Sequence, residues 1–404
     1  MTQETPPTVP SWLDPLSDTS GIAELPRVER SQIDMAGHRV LTEPLTAQRL
    51  VTASHNGLIL MDDGQSQSLL LSKWGHSLPS AVAVLMPPPE AVTDATERRA
   101  RRKYQERLLA SQIQWPDLAA RDTAFLLCAD HKPPEYGLPS QLYREHRPDG
   151  LLPWDGIPSL LDQITKAVSP VLAPAWIHAR SALNEALATI IAESFKNTHD
   201  HAREETNGSN VETSVRALYA RYYSMSDVLH SIALVSPENI TPVERYIRGF
   251  SPRSVKPGVR LPDQPSVNGF LELSVLDSGP GMAARWLNRP VQELSPKEQL
   301  TAILQCFGKG RTTTGAPGRG FGLWKVLLSL SVLRGFISVR TNNIHAYRQF
   351  GHLSKAGQEE MPGGGPLIPK EQLYDWKREL STEPSAYPHV KGTVISFLLP
   401  MGQA

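Results

Sequence analysis

The chain has 404 residues, of which 40% are hydrophobic and 20% charged, the composition of a folded protein rather than a disordered or fibrous one. Its 41 basic residues balance 41 acidic ones, so there is no global positive field and nucleic acid is not indicated as a partner. Cys128 and Cys306 form neither a disulfide framework nor a metal motif, and no apolar run approaches the roughly 18 residues of a membrane span.

At roughly 100–200 residues per domain, the length predicts two or three domains. Residues 1–25 are rich in Pro, Ser and Thr and read as a flexible arm, with no apolar stretch of the signal-peptide kind. A cytoplasmic protein without membrane attachment is the expectation.

Residues 26–150 read as a small α/β domain of unknown role. Gly57–Met61, Ala81–Met86 and Ala124–Cys128 are short apolar runs and predict buried strands. Between the second and third, ATERRARRKYQERLLASQI lacks internal Pro and Gly and predicts a helix. Its Arg98, Arg99, Arg101, Arg102 and Lys103 suit either a solvated helix face or an acidic or phosphate-bearing partner. HRPDGLLPWDGIPS, at 146–159, has the punctuation of a boundary, and a helix follows near 157–168.

Residues 176–203 carry the strongest helical pattern. Leu183, Leu187, Ile190, Ile191 and Thr198 share one stripe, with Glu185, Thr189, Lys196 and Arg203 opposite. Glu193, Asn197 and His201 follow at i, i+4 and i+8 along the edge of that stripe. A carboxamide oxygen can ligate Mg²⁺, and a carboxylate one turn away can take a proton from water.

FLELSVL, at 270–276, alternates apolar and polar residues and runs into Asp277-Ser278-Gly279-Pro280-Gly281-Met282. A carboxylate at a strand end can accept a hydrogen bond, and glycines let the backbone approach a flat ligand. Further on, Phe307–Thr314, with Lys309, Arg311 and Thr312, leads to Gly318-Arg319-Gly320-Phe321-Gly322-Leu323 and an apolar helix. Glycine-rich loops entering a helix N-terminus present free amides to phosphate oxygens. The spacing is neither Walker A nor Rossmann. Strand-like 335–341 and Gly392–Pro400 complete the region.

The order ESFKNTHDHA, DSGPGM, GRGFGL, GTVISFLLP resembles the GHKL ATP-binding superfamily of gyrase, heat-shock chaperone, histidine kinase and MutL, across roughly 175–400. The resemblance implies an α+β class with a Bergerat-type sandwich, a mixed, largely antiparallel sheet covered by helices. On that reading 151–404 is the ATP-binding domain. It also implies ATP and Mg²⁺ as ligands, with Asn197 holding the metal. Asp277 would accept from the adenine amine, supported by Thr393, and Gly279 and Gly281 would lie against the nucleotide. Residues 307–317 would be the lid, with Gly318, Gly320 and Gly322 around the phosphates and Lys309 a phosphate contact. Glu193 occupies the general-base position. His201-Ala202 resembles the kinase and anti-sigma form of its box, whereas Met282 resembles the gyrase and MutL side.

The chain departs from the compact family members in the long interval between Asn197 and Asp277, read as an insertion near 204–268 with strand-like stretches at 211–223 and 230–235. A second, loop-like interruption is expected at 352–370. The functional expectation is a slow ATPase that uses nucleotide as a conformational or assembly switch. Alternatives are a protein kinase of the histidine-kinase or anti-sigma type, or a non-hydrolysing nucleotide-sensing module. A protein partner is expected through the N-terminal region or the 204–268 segment, and a homodimer is compatible with the pattern.

Overall fold

A computed structural model describes residues 9–18, 26–54, 58–61, 77–86, 122–169, 181–250, 267–310, 321–350 and 372–402, together with helical positions between 99 and 110 and two-residue strands at 358–359 and 368–369. The strands are β1 (Arg27–Glu29), β2 (Ile59–Met61), β3 (Thr123–Ala129), β4 (Val215–Ser224), β5 (Val267–Asp277), β6 (Phe336–Asn342), β7 (Ile344–Gln349), β8 (Gln358–Glu359), β9 (Ile368–Pro369), β10 (Tyr374–Asp375) and β11 (Val390–Gly402). Seven of them form one sheet in the order β10-β7-β6-β11-β5-β4-β3, and every pairing in it is antiparallel. The class is α+β.

Alternation along the strands sorts side chains between two faces. Leu271, Leu273 and Val275 of β5 join Ile337, Val339, Ile395, Phe397 and Leu399 on the front. Four helices cover that face: α4 (Ile157–Val168), α5 (Ser181–His201), α9 (Pro296–Cys306) and α10 (Gly322–Leu333). Leu276 and Phe270 point the other way. Behind Leu276 pack α2 (Thr42–Ser54) and α3 (Leu78–Leu85), and behind Phe270 pack α6 (Met225–Ala233) and α7 (Pro242–Arg248). The sheet is therefore the middle of three layers. Two further helices, α1 (Arg30–Ala36) and α8 (Met282–Leu287), lie beside β1 and directly after β5.

Several expectations change. Residues 81–85 are not a strand but belong to α3, with Met86 its C-cap; the helix is capped at its start by Ser77, whose hydroxyl accepts from the Ser80 amide, with Pro79 in the first turn. All eight residues of α3 are buried, which erases the amphipathic period that marks a helix in sequence. The division at 150 does not divide the sheet: β3 is its edge strand, and α2 packs on β11. Within the expected arm, Trp12 and Leu13 are buried against Val28, Ile33 and Leu50. The interval 204–268 holds β4, an interior strand, so it supplies part of the frame, and 230–233 is helical. Of the basic cluster, Arg99, Arg102 and Lys103 are helical and exposed. The seven-stranded sheet is wholly antiparallel, where a mixed, largely antiparallel one was expected.

Candidate functional site

Register places one row of polar residues across four strands. Arg216 of β4 is opposite Asp277 of β5, which is opposite Thr393 of β11, which is opposite Thr341 of β6. Cross-strand partners share a face, so all four project forward at the end of the sheet where β5 stops. Arg216 is fully buried and held by Asp130, whose oxygens accept at 2.8 and 2.5 Å, and by the Tyr143 hydroxyl at 2.7 Å. The Tyr143 hydroxyl also meets His199 Nδ1 at 2.9 Å, which anchors this network to α5.

Asp277 is buried, and burial pushes its carboxyl up to about 6, although the Gly279 and Thr393 amides and the Arg216 charge pull the other way. The Gly279 amide donates to Asp277 Oδ1 at 2.9 Å, which folds the chain sharply after the strand. Two glycines make that fold possible. A Cβ on Gly279 would sit 2.7 Å from Ala202 Cα at the end of α5, and Gly281 has φ +88°, with Asn342 filling the space a side chain would need. Met282 then opens α8, its amide donating to Thr341 Oγ1 at 3.1 Å, and Thr341 Oγ1 lies 3.2 Å from Thr393 Oγ1. A chain of short contacts thus fixes the loop, the helix start and the β11 threonine together.

The opposite wall is α5 packed on α10. Glu193, Asn197 and His201 all face the cleft between this helix pair and the 277–282 loop, as do Gly322 and Leu323 of α10. Lys325 Nζ donates to Glu193 Oε1 at 3.2 Å. The Asn197 Nδ2 is buried without a hydrogen-bond partner among the described residues. Such a group costs free energy unless something fills its valence. The remaining wall is largely apolar, with Val275, Met282, Trp286, Phe321 and Ile395. The cavity volume is about 220 Å³, far above the roughly 10–15 Å³ a single water needs. Its combination of flat apolar walls with a few convergent polar groups is that of a small-molecule site.

Of the residues singled out in the sequence, Glu193, Asn197, Asp277, Gly281, Met282, Gly322, Leu323 and Thr393 line this one cleft. Gly279 lies just beneath it, bonded to Asp277. Lys309 does not line it; its ammonium sits 4.9 Å from the centre of the Trp324 ring. Thr312, Gly318 and Gly320 lie outside the described residues. Reasoning from sequence missed Lys325, Arg216 and Thr341. Lys325 did leave a signal, since a cation in the first turn of an otherwise apolar helix opposes the helix dipole and asks for a reason. No helix among the described residues is long and apolar enough to cross a membrane, and among them no cluster of three His, Cys, Asp or Glu forms a metal cage. No protein-family model, curated protein or solved structure matches the chain.

Proposed function

We propose that the cleft binds Mg-ATP in the GHKL manner on a Bergerat-type sandwich, and that the chain is a slow ATPase whose nucleotide state switches a conformation or an assembly. One observation carries this reading: residues from four separate stretches, 193–201, 277–282, 322–323 and 393, converge on one cleft with a buried carboxylate at its floor. Each stretch alone is a weak motif, and their convergence is independent of the spacing that suggested them.

Asp277 would accept from the exocyclic amine of adenine, with Thr393 beside it and Met282, Val275 and Ile395 against the ring faces. Mg²⁺ commonly takes one or two protein oxygens and completes its shell with water and phosphate. The Asn197 carboxamide fits that role, because its Nδ2 is buried without a partner and the group can turn either of its polar atoms to the cleft. The ion would neutralise charge developing on the phosphate oxygens. Glu193 would accept a proton as water attacks the γ-phosphorus; the bond to the bridging oxygen breaks, and ADP leaves with that electron pair. The protein's part is positioning and charge stabilisation.

Titration calorimetry with ATP in Mg²⁺ buffer tests the assignment, with micromolar to millimolar binding expected and a matching rise in melting temperature. Absence of both signals removes the nucleotide reading altogether.

A further inference from the structure

Three cationic side chains line the cleft among the described residues: Lys196, Arg285 and Lys325. Lys196 pairs with Asp200 one turn along its own helix, and Arg285 pairs with Glu204 at 3.3 Å. Lys325 instead joins the two helices of one wall, from the first turn of α10 to Glu193 of α5, 132 residues away in sequence. The carboxylate it holds is the one placed to take a proton from water. The Lys325 side chain is 53% exposed, against 21% for Glu193, so the ammonium can swing out while the carboxylate stays at the wall. A Cβ on Gly322 would lie 2.8 Å from Glu193 Oε2, so the start of α10 sits directly against this carboxylate.

Building on the nucleotide reading above, we infer that Lys325 is the residue that recognises the terminal phosphate of a nucleoside triphosphate, and that it leaves Glu193 to do so. A partly exposed lysine–carboxylate pair is weak and exchangeable. A terminal phosphate carries more negative charge than one carboxylate, presents several acceptor oxygens, and would enter where α10 begins, at the helix end that favours anions. Without that phosphate, Lys325 occupies an oxygen of Glu193. With it, the ammonium moves to the phosphate and Glu193 is left free to face water. The ion pair thus makes discrimination between triphosphate and diphosphate a property of the same contact that occupies the carboxylate.

The test is binding of Mg-ATP and Mg-ADP, by calorimetry, to wild type, Lys325→Met, Lys325→Arg, Glu193→Gln and the Lys325→Met/Glu193→Gln double variant. Methionine is a good helix former at this half-exposed position, so the fold is retained. Lys325→Met should weaken ATP about 10- to 100-fold, the scale of a lost charge-assisted hydrogen bond, and change ADP less than about threefold. Lys325→Arg should keep most of the discrimination. Glu193→Gln should bind ATP a few-fold more tightly, because no carboxylate competes for the ammonium, and that gain should vanish in the double variant. Equal losses for ATP and ADP in Lys325→Met, or a gain in Glu193→Gln that persists in the double variant, overturns the inference while leaving nucleotide binding standing. Wild type that binds neither nucleotide overturns the underlying reading, and the inference with it.

Discussion

The two faces of the sheet bury polar groups in opposite ways. On the back, Glu272 is fully buried, accepting from the Tyr223 hydroxyl at 2.7 Å, the Ser274 hydroxyl at 2.9 Å and the Leu41 amide at 3.3 Å. Nearby Glu43 accepts from the Tyr219 hydroxyl at 2.7 Å and the Leu78 amide at 2.9 Å. Burial raises both carboxyls above their ordinary range, Glu272 to about 7. On the front, Asp277 is raised to about 6, yet its donors are backbone amides, and the Asn197 amide, which lines the same cleft, has a polar atom with no partner among the described residues. Perturbed titration therefore does not identify the site here, since the back face is perturbed at least as far. What separates them is the cavity: Glu272 and Glu43 accept from protein groups packed around them, whereas Asp277 and Asn197 line a cleft. The back ties the N-terminal helices to the sheet, and the front borders the cleft.

The sharpest way to break that comparison is to change one residue on each face. Glu193→Ala should cut ATP turnover roughly 10²–10⁴-fold without weakening ATP binding, as expected for loss of a general base. Asn197→Ala should lose both, because the metal and with it the triphosphate are poorly held. Steady-state phosphate release combined with calorimetry separates the two, and wild-type turnover in Glu193→Ala would remove that carboxylate from catalysis. On the back, Glu272→Ala should leave nucleotide affinity intact and cost roughly 3–5 kcal/mol of stability, since three buried donors lose their acceptor. Urea denaturation reads this; a change below about 1 kcal/mol would mean those donors do not depend on Glu272.

A pH series sharpens the contrast. Glu272 is raised from 4.5 to about 7, so the folded chain keeps a proton there that the unfolded chain releases between those values. Its contribution to stability is full below pH 4.5 and is lost as pH rises through about 7. Glutamine cannot titrate. The unfolding free energy of wild type relative to Glu272→Gln should therefore fall by roughly 3 kcal/mol from acid to about pH 8. His199 works in the opposite sense, because burial lowers it to about 4 and stability through it is lost as pH falls from 6.5. A direct comparison of the two variants cancels that background.

How much of this was legible in the sequence follows from the range of the interactions. The β5 strand and its DSGPGM turn were readable because alternation and glycine geometry act within a few residues, and α5 because its apolar stripe runs the length of the helix. The α3 helix was misread because complete burial leaves no period, although Ser77 and Pro79 were start signals. That β3 closes the same sheet, and that β4 is an interior strand rather than part of an insertion, depend on pairings across tens of residues that no local pattern encodes. The Lys325–Glu193 contact is hidden for the same reason: it exists only once α5 and α10 pack.

The smallest expected effect concerns Asp277, and it tests the claim that the front face is open to a ligand while the back is not. Asp277→Asn keeps one acceptor oxygen but exchanges the other for a donor that would confront the adenine amine. At about pH 7.5 the loss in ATP affinity should be roughly 1–3 kcal/mol, the scale of a hydrogen bond to a charged group. The carboxyl is raised to about 6, so below that pH wild type increasingly carries a proton of its own and loses its anionic acceptor. The wild-type to mutant affinity ratio should therefore shrink as pH falls through about 6, and taking the ratio cancels titration of the nucleotide phosphates. Stability should move the other way from affinity: a raised carboxyl contributes stability below pH 3.8 that is lost as pH rises through about 6, so the neutral asparagine should be no less stable than wild type at neutral pH. A ratio that stays constant from acid to neutral pH would mean that Asp277 does not face the base. A mutant that loses stability without losing affinity would make Asp277 a front-face counterpart of Glu272, held by the protein alone.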